Sequence, residues 1–369
     1  MAARQAAQAV QAVAQATAQP APERQEFYRR IDPLHLAPLW EAYGQMITRE
    51  PVQACVPHRW RYADVRQYML ESAGLISAHE AERRVLMLEN PGMRGQRCIT
   101  QTLFSGLQLV MPGEIAPCHR HSQSALRLVL EGSQAFTGVD GERIPMERGD
   151  FIITPAWSWH DHGNDTPDPV IWMDGLDIPM VKFFGASFVE RFGQEQHPET
   201  HPAGETRARY GANLLPVGRR GSERSSERNG GSAAARFPLW HYPYARSRES
   251  LEQLRRGGEW HPAHGLKLEY INPMDGGAAM ATISTFIQLL PKGFSGETHR
   301  STDGTVFCAL EGRGTTEIAG QRFDWGPSDI FVIPSWHAFR HEAAEDAVLF
   351  SYSDRTVQEK LGMWREKAG

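Results

Sequence analysis

PGEIAPCHRHSQSALRLVLEG (112–132) and GDFIITPAWSWHDHGN (149–164) carry the reading of the fold. Gly113 is followed after five residues by His119-Arg120-His121, and Gly149 after five residues by Pro155, with His160 five positions further on. Side chains two apart in a strand share a face, so His119 and His121 point one way while Cys118 and Arg120 point the other. A hairpin returning through Gly149-Asp150 and the Pro155 turn can bring His160 to the same spot. Neutral imidazoles converging inside a barrel are what a divalent transition metal needs.

This two-part pattern resembles the paired motifs of the cupin superfamily, with the glycines, the proline, Asn164 and the three histidines at matching intervals. Two positions depart from it. Ala125 stands where many cupins carry a glutamate ligand, and Trp157 where they usually have a glycine two residues after the proline. Three neutral ligands leave a metal its full charge and several open positions. That suits two-point capture of an anionic substrate and then dioxygen.

Outward from the motifs the periodicity changes. RRVLMLEN, from Arg83, alternates as a strand, and further short strands fall near Leu107–Met111, Leu126–Leu130, Phe151–Thr154 and Val170–Asp174. Turns such as Asp140-Gly141 and Gly149-Asp150 separate them, as in a sandwich or barrel. Residues 26–82 read as helical: Leu36, Leu39, Trp40 and Tyr43, then Val65, Tyr68, Met69 and Leu75, keep three-to-four spacing, and Gly74 breaks the second helix. That aromatic stripe reads as packing against a barrel or a neighbouring subunit. Residues 1–25 are Ala/Gln-rich and read as a disordered or frayed tail, though an acid-poor transit peptide has similar composition. The first barrel then spans 83–184. Residues 185–265 form a linker with a short helix near Arg248–Leu254 and a Gly/Ser-rich, charged insertion at 218–236 read as mobile and solvated.

The barrel repeats. PKGFSGETHRSTDGTVFCALEGRG (291–314) copies the first motif and FDWGPSDIFVIPSWHAFRHE (323–342) the second, at an offset close to 180 residues. Gly293 matches Gly113, His299 matches His119 and Trp336 matches Trp157, but Ser301 replaces the second histidine and Phe339 the third. A degraded site using His299, His337 and His341 is one reading; a structural second barrel over 266–353, without metal, is the one adopted. SDRTVQEKLGMWREK then closes the chain as a helix over 354–369, capped by Ser353 or Asp354. The expected fold class is all-β: two tandem cupin barrels, or bicupin, with an N-terminal helical region and a C-terminal helix.

Other polar residues fall inside the first barrel. Arg127, six residues past His121, shares its parity in a continuing strand, and a buried arginine must be paired. Its partner is either an internal carboxylate such as Asp174 or a substrate carboxylate gripped by the planar guanidinium. His162 shares the face of His160, as a fourth ligand or as a hydrogen-bonding neighbour. Gln108 lies in a barrel strand, Arg83 at the head of the entering strand, and Val85 and Phe104 on pocket-side strands.

HRHSQSALRLVLEG, GDFIITPAWSWHDHG and VIWMDGLDIP together resemble the gentisate 1,2-dioxygenase family, over roughly residues 30–365 and most densely from 83 to 180. These are Fe(II)-dependent bicupins that open the ring of 2,5-dihydroxybenzoate, with salicylate and 1-hydroxy-2-naphthoate dioxygenases as near relatives. The resemblance implies Fe(II) held by His119, His121 and His160, with O2 as co-substrate and maleylpyruvate as product. It implies that Arg83 and Arg127 hold the substrate carboxylate, while Gln108, Phe104, His162 and Asp174 line the pocket and orient substrate or oxygen. It also implies an active site in the first barrel only, and a homotetramer. The rival classes are a cupin isomerase, which usually keeps the glutamate replaced by Ala125, and a non-catalytic ligand-binding bicupin.

Composition narrows the field. The 369 residues can build two domains, and a net charge of −5 with mixed signs offers no basic field for nucleic acid. Cys55, Cys98, Cys118 and Cys308 have neither metal spacing nor a disulfide framework, as expected in a reducing cytoplasm. No run of about 18 apolar residues is present to cross a membrane.

Overall fold

The computed structural model describes residues 21–213, 236–258 and 260–369, and the chain divides into two units, 1–52 and 53–369. In the first unit, helix Pro22–Ile31 packs on helix Leu39–Met46 through Phe27, Tyr28 and Trp40. The first helix starts inside the segment expected as tail, because Pro22 is well suited to a first helical turn and Glu23 to its positive end. Residues 1–20 and the insertion 218–236, except Arg236, lie outside the described residues.

The second unit holds two barrels, each built from a six-stranded and a five-stranded antiparallel sheet. In the first barrel the larger sheet runs His241–Tyr242, Phe151–Thr154, Ala125–Glu131, Val170–Leu176, Phe104–Val110, Val85–Met87. Its smaller sheet runs Val189–Arg191, Ile115–His121, His160–Gly163, Ala135–Val139, Glu142–Met146. The second barrel repeats this plan, its larger sheet carrying Ser284–Leu290, Thr305–Glu311 and Ala347–Ser353 and its smaller one His299–Ser301 and Phe339–Ala343. The two barrels and the flanking helices are the all-β bicupin architecture that the repeat implies.

Strands of the larger sheets are buried on both faces, which is why they read as continuous apolar runs rather than alternating ones. One face fills a barrel: Val110, Val129, Ile152 and Trp172 in the first, Phe307, Phe331 and Leu349 in the second. The other face joins the barrels. Leu107, Leu128 and Met173 share one core with Ile287, Val306 and Phe350. Phe151 stands 5.5 Å from Phe350 and stacks at 5.1 Å on Tyr242, so the linker strand is part of the same layer.

Several boundaries differ from the sequence reading. Strand His58–Trp60, within the segment expected to be helical, pairs with Ile330–Val332 of the second barrel. The linker contributes strands Val189–Arg191 and His241–Tyr242 to the first barrel, and its helix spans Tyr244–Arg255, longer than expected. The C-terminal helix covers only Arg355–Lys360, since Gly362 turns left-handed at φ 70°, and Glu366–Ala368 returns as a strand beside His299–Ser301. Asp354 holds the N-cap position, as expected, but its side chain makes no capping bond to the helix N–H groups. Its carboxylate instead accepts from the Gly304 N–H and from Thr102.

Phe350 lies in the shared layer with no exposed surface, so Phe350→Ala should cost about 3–5 kcal/mol. Because one core serves both barrels, urea unfolding of the variant should still be a single transition. Two separated transitions, or a loss under about 1 kcal/mol, would contradict a shared core.

Candidate metal centre and its pocket

Strand Ile115–His121 delivers the first two histidines and strand His160–Gly163 the third, with His119 directly opposite His160. A bulge separates Ala116 from His119 in that pairing, so the strand changes register just before the ligand pair. Turn Gly113 (φ 76°) starts the strand in a backbone conformation that favours glycine. The facing ring nitrogens of His119, His121 and His160 lie within 4.8 Å of one another, close enough to hold a metal ion together.

Hydrogen bonds orient two of the rings. His121 Nδ1 is 2.9 Å from the Gln123 carbonyl and His160 Nδ1 is 3.0 Å from the Ser158 carbonyl, so each Nδ1–H donates and Nε2 is left free for a metal. His119 Nε2 lies 3.3 Å from Arg83 Nη2. Burial, then the charge of Arg83, pushes His119 down to about 2, and burial pushes His121 down to about 4. Burial also holds His160 and His162 well below the usual histidine range. All four imidazoles are therefore neutral at pH 7, the form that binds metals. The donor set and its protonation fit a divalent transition metal.

The remaining residues singled out in the sequence gather around this centre. Arg127 comes from the other sheet: the strand ends at His121 and a new one starts at Ala125, so Arg127 does not lie on a continuation of the ligand strand. It is buried and stands directly opposite Asp174, with Nε 3.6 Å from Oδ1 but without a hydrogen bond, while Nη1 donates to Thr154. The internal carboxylate weighed from the sequence is thus beside the guanidinium, and Nε is still without a hydrogen bond. Asp174 accepts from Trp172 Nε1 at 2.9 Å, and burial raises its carboxyl to about 6. Arg83 lies just before strand Val85–Met87 and donates to the Pro117 carbonyl at 2.9 Å. Burial, then the charge of Arg127, lowers it to about 10, still a cation at pH 7.

Gln108 and His162 complete the wall. Both are buried, and Gln108 Nε2 and His162 Nε2 have no protein partner. His162 Nδ1 sits 3.0 Å from Thr137 Oγ1, a contact that fixes the orientation of the ring. Val85 lies opposite Gln108 and Phe104 opposite Leu176. Thr137, Thr154 and Trp172 were not singled out in the sequence. A polar residue ending the apolar run FIIT is a weak signal for Thr154; nothing local marks the other two. A cavity of about 420 Å³, lined by His79, Glu82, Cys118, His119 and Arg191, lies beside the centre and touches His119 alone of the three histidines.

In the second barrel, His299 faces Phe339, and His341 Nδ1 is 2.8 Å from Thr316, repeating the Thr137–His162 contact. Phe307 stands 180 positions after Arg127 and fills the corresponding interior. Among the described residues, no second histidine group converges as the first does.

Comparison with known proteins agrees with this geometry. Residues 106–178 match the family model for the cupin domain. The chain is 54% identical to gentisate 1,2-dioxygenase 1 of Aquipseudomonas alcaligenes, over 93% of this chain and 96% of that protein. It is 33% identical to 5-aminosalicylate 1,2-dioxygenase of Comamonas sp., over 93% and 91%. The crystal structure of salicylate 1,2-dioxygenase from Pseudoaminobacter salicylatoxidans, as an adduct with gentisate, superposes with a TM-score of 0.85 at 30% identity, covering 96% of each chain.

The depressed histidines make a pH prediction. An unfolded histidine takes a proton near pH 6.5, whereas His119 takes one only at about 2 and His121 at about 4, and His160 and His162 are lowered as well. Between those values the unfolded chain binds more protons, so stability of the metal-free protein should fall as pH drops from about 6.5 towards 4, by ~1.4 kcal/mol per pH unit for each histidine. Asp174, Asp177 and Asp354, each raised to about 6, have the opposite sign, their stabilisation being lost as pH rises from about 4 to about 6, but the lowered histidines, which also include His264 and His341, outnumber them. Melting temperatures of the metal-free protein from pH 7 to 5 test this; a flat profile would contradict it.

Proposed function

The chain belongs to the gentisate 1,2-dioxygenase family, and on that premise we propose that it opens the aromatic ring of gentisate between the carboxyl-bearing and adjacent hydroxyl-bearing carbons, adding both atoms of O2 to give maleylpyruvate. The observation that carries this reading is a set of buried nitrogens without hydrogen-bond partners, Arg127 Nε, Gln108 Nε2 and His162 Nε2, beside three neutral histidines. Buried polar groups left unpaired are costly, and an oxygen-rich anionic ligand would satisfy them.

His119, His121 and His160 would hold Fe(II). The iron would supply Lewis-acid activation of the hydroxyl next to the carboxylate and a route for electrons from ring to O2. Arg127 and Arg83 grip the carboxylate, with Asp174 keeping the Arg127 guanidinium in plane. Gln108 donates to a substrate oxygen. His162 Nε2 holds or moves a proton at the reacting oxygen, with its ring oriented by Thr137. Phe104 walls the ring. The apolar walls above and below exclude water, which strengthens each of these bonds.

The family also includes enzymes named for 5-aminosalicylate and salicylate, so a panel of gentisate, salicylate, 5-aminosalicylate and 1-hydroxy-2-naphthoate, assayed for O2 uptake with added Fe(II), decides the substrate. Gentisate should be consumed fastest. No uptake with any of them would leave an isomerase or a non-catalytic bicupin. The protein is proposed to work in the cytoplasm as a homotetramer. Trp40 and Tyr43, 62% and 54% exposed on a helix with no buried residue, are the surface offered for self-association.

Arg127→Lys should fail almost as badly as Arg127→Ala, with kcat/KM down about ten- to a hundredfold, because an ammonium keeps the charge but not the two-point grip. A lysine variant with near-normal kcat/KM would remove Arg127 from the carboxylate. His119→Ala, His121→Ala and His160→Ala should each lose bound iron and activity, whereas His299→Ala should keep both; metal analysis of the purified proteins reads the result.

A further inference from the structure

Arg120 stands between two of the proposed ligands, and its side chain lies on the opposite face of their strand. Its guanidinium is 4.6 Å from the centre of the Trp157 ring and 4.5 Å from that of Trp159. Nε and Nη2 also donate to Glu190 Oε2 at 2.9 and 2.6 Å, and Glu190 is directly opposite Arg120 on the paired strand. One cation is thus held by two indoles and a carboxylate.

The two indoles belong to the turn that delivers His160. Trp157 donates its backbone N–H to the His121 carbonyl at 2.8 Å, and the carbonyl of Ser158, between the tryptophans, receives His160 Nδ1. Trp157 adopts φ 65°, a left-handed conformation that bulky residues avoid and that a glycine would hold without strain. The indole at this position therefore has a use that glycine could not serve: it covers Arg120.

The second barrel provides an internal comparison. Arg300 lies 5.8 Å from Trp336, which keeps the left-handed turn (φ 60°) and bonds the Ser301 carbonyl. The second ring is gone, however, since Ala338 follows where Trp159 stands in the first barrel. The residue opposite Arg300 is Lys367, not a carboxylate. The full clamp is present only in the barrel with the three converging histidines.

We propose that Arg120 is a positioning residue for the metal centre: stacked between Trp157 and Trp159 and anchored to Glu190, it fixes the spacing of the His119–His121 strand against His160 from outside the barrel. This rests on those three histidines being the metal ligands. The test is titration of the metal-free full-length protein with Co(II), whose visible absorption reports ligand geometry, in the wild type and in Arg120→Ala, Arg120→Lys, Glu190→Gln and Arg300→Ala. Arg120→Ala should bind Co(II) roughly tenfold or more weakly, as for other groups that orient metal ligands, and with a shifted absorption band. Lysine, which cannot lie flat between two rings, should restore only part of the affinity. Arg300→Ala should match the wild type. Should Arg120→Ala fail to fold, Glu190→Gln carries the test, with a loss of a few fold expected. Wild-type affinity and spectrum in the Arg120 or Glu190 variant, or an equal loss in Arg300→Ala, would overturn the positioning role. A wild-type protein that takes up no Co(II) would overturn the ligand assignment and this inference with it.

Discussion

The apolar layer between the two larger sheets is the constraint on which the rest depends. Leu107, Leu128 and Met173 point out of the first barrel into it, so the intervening positions, Gln108, Arg127 and Asp174, must point inward. A one-residue slip in any of these strands would bury charge between the barrels and remove it from the metal centre. The second barrel therefore fixes the register of the first even though, among the described residues, its histidine nitrogens do not converge as those of His119, His121 and His160 do. Its interior is filled by rings such as Phe307 and Phe331, stacked 5.0 Å apart.

The first barrel makes the opposite compromise. Its interior is apolar at one end, through Val110, Val129 and Trp172, and carries charge at the other. Burial, helped by the positive charge of two arginines beside one carboxylate, keeps all four nearby histidines neutral. The Arg127–Asp174 pair at 3.6 Å is close enough to offset some of the cost of burial and loose enough to leave a donor free. The proposed substrate grip thus uses an arginine that is also part of the buried packing.

Much of this was legible in the sequence. The repeat at about 180 residues gave the pair of barrels, and alternation put His119 and His121 on one face. The inward direction of Arg127 came out right although the strand assumed to carry it is interrupted between His121 and Ala125. What stayed hidden is what depends on distant partners. Two- and three-residue strands such as His241–Tyr242 and His58–Trp60 are too short to show a period, and only pairing across the chain makes them strands. The bulge before His119, the bond from Arg83 to Pro117 and the cover that lets Trp157 turn left-handed are likewise long-range. The overlong C-terminal helix was an error of pattern, since the residues after Gly362 favour pairing with His299–Ser301 over continuing a turn.

Strand Val189–Arg191 has a further consequence for the life of the protein at high concentration. It lies at the edge of its sheet, so the ligand strand Ile115–His121 has backbone partners on both sides and offers no free row of N–H and C=O groups to another molecule. The edge itself is three residues long, fully exposed, and carries Glu190 and Arg191. Short, charged edges resist templated strand addition. The segment that shields the metal-binding strand thereby also guards the protein against edge-to-edge aggregation, and Glu190 serves both purposes, one face of its strand holding Arg120 and the other turned to water.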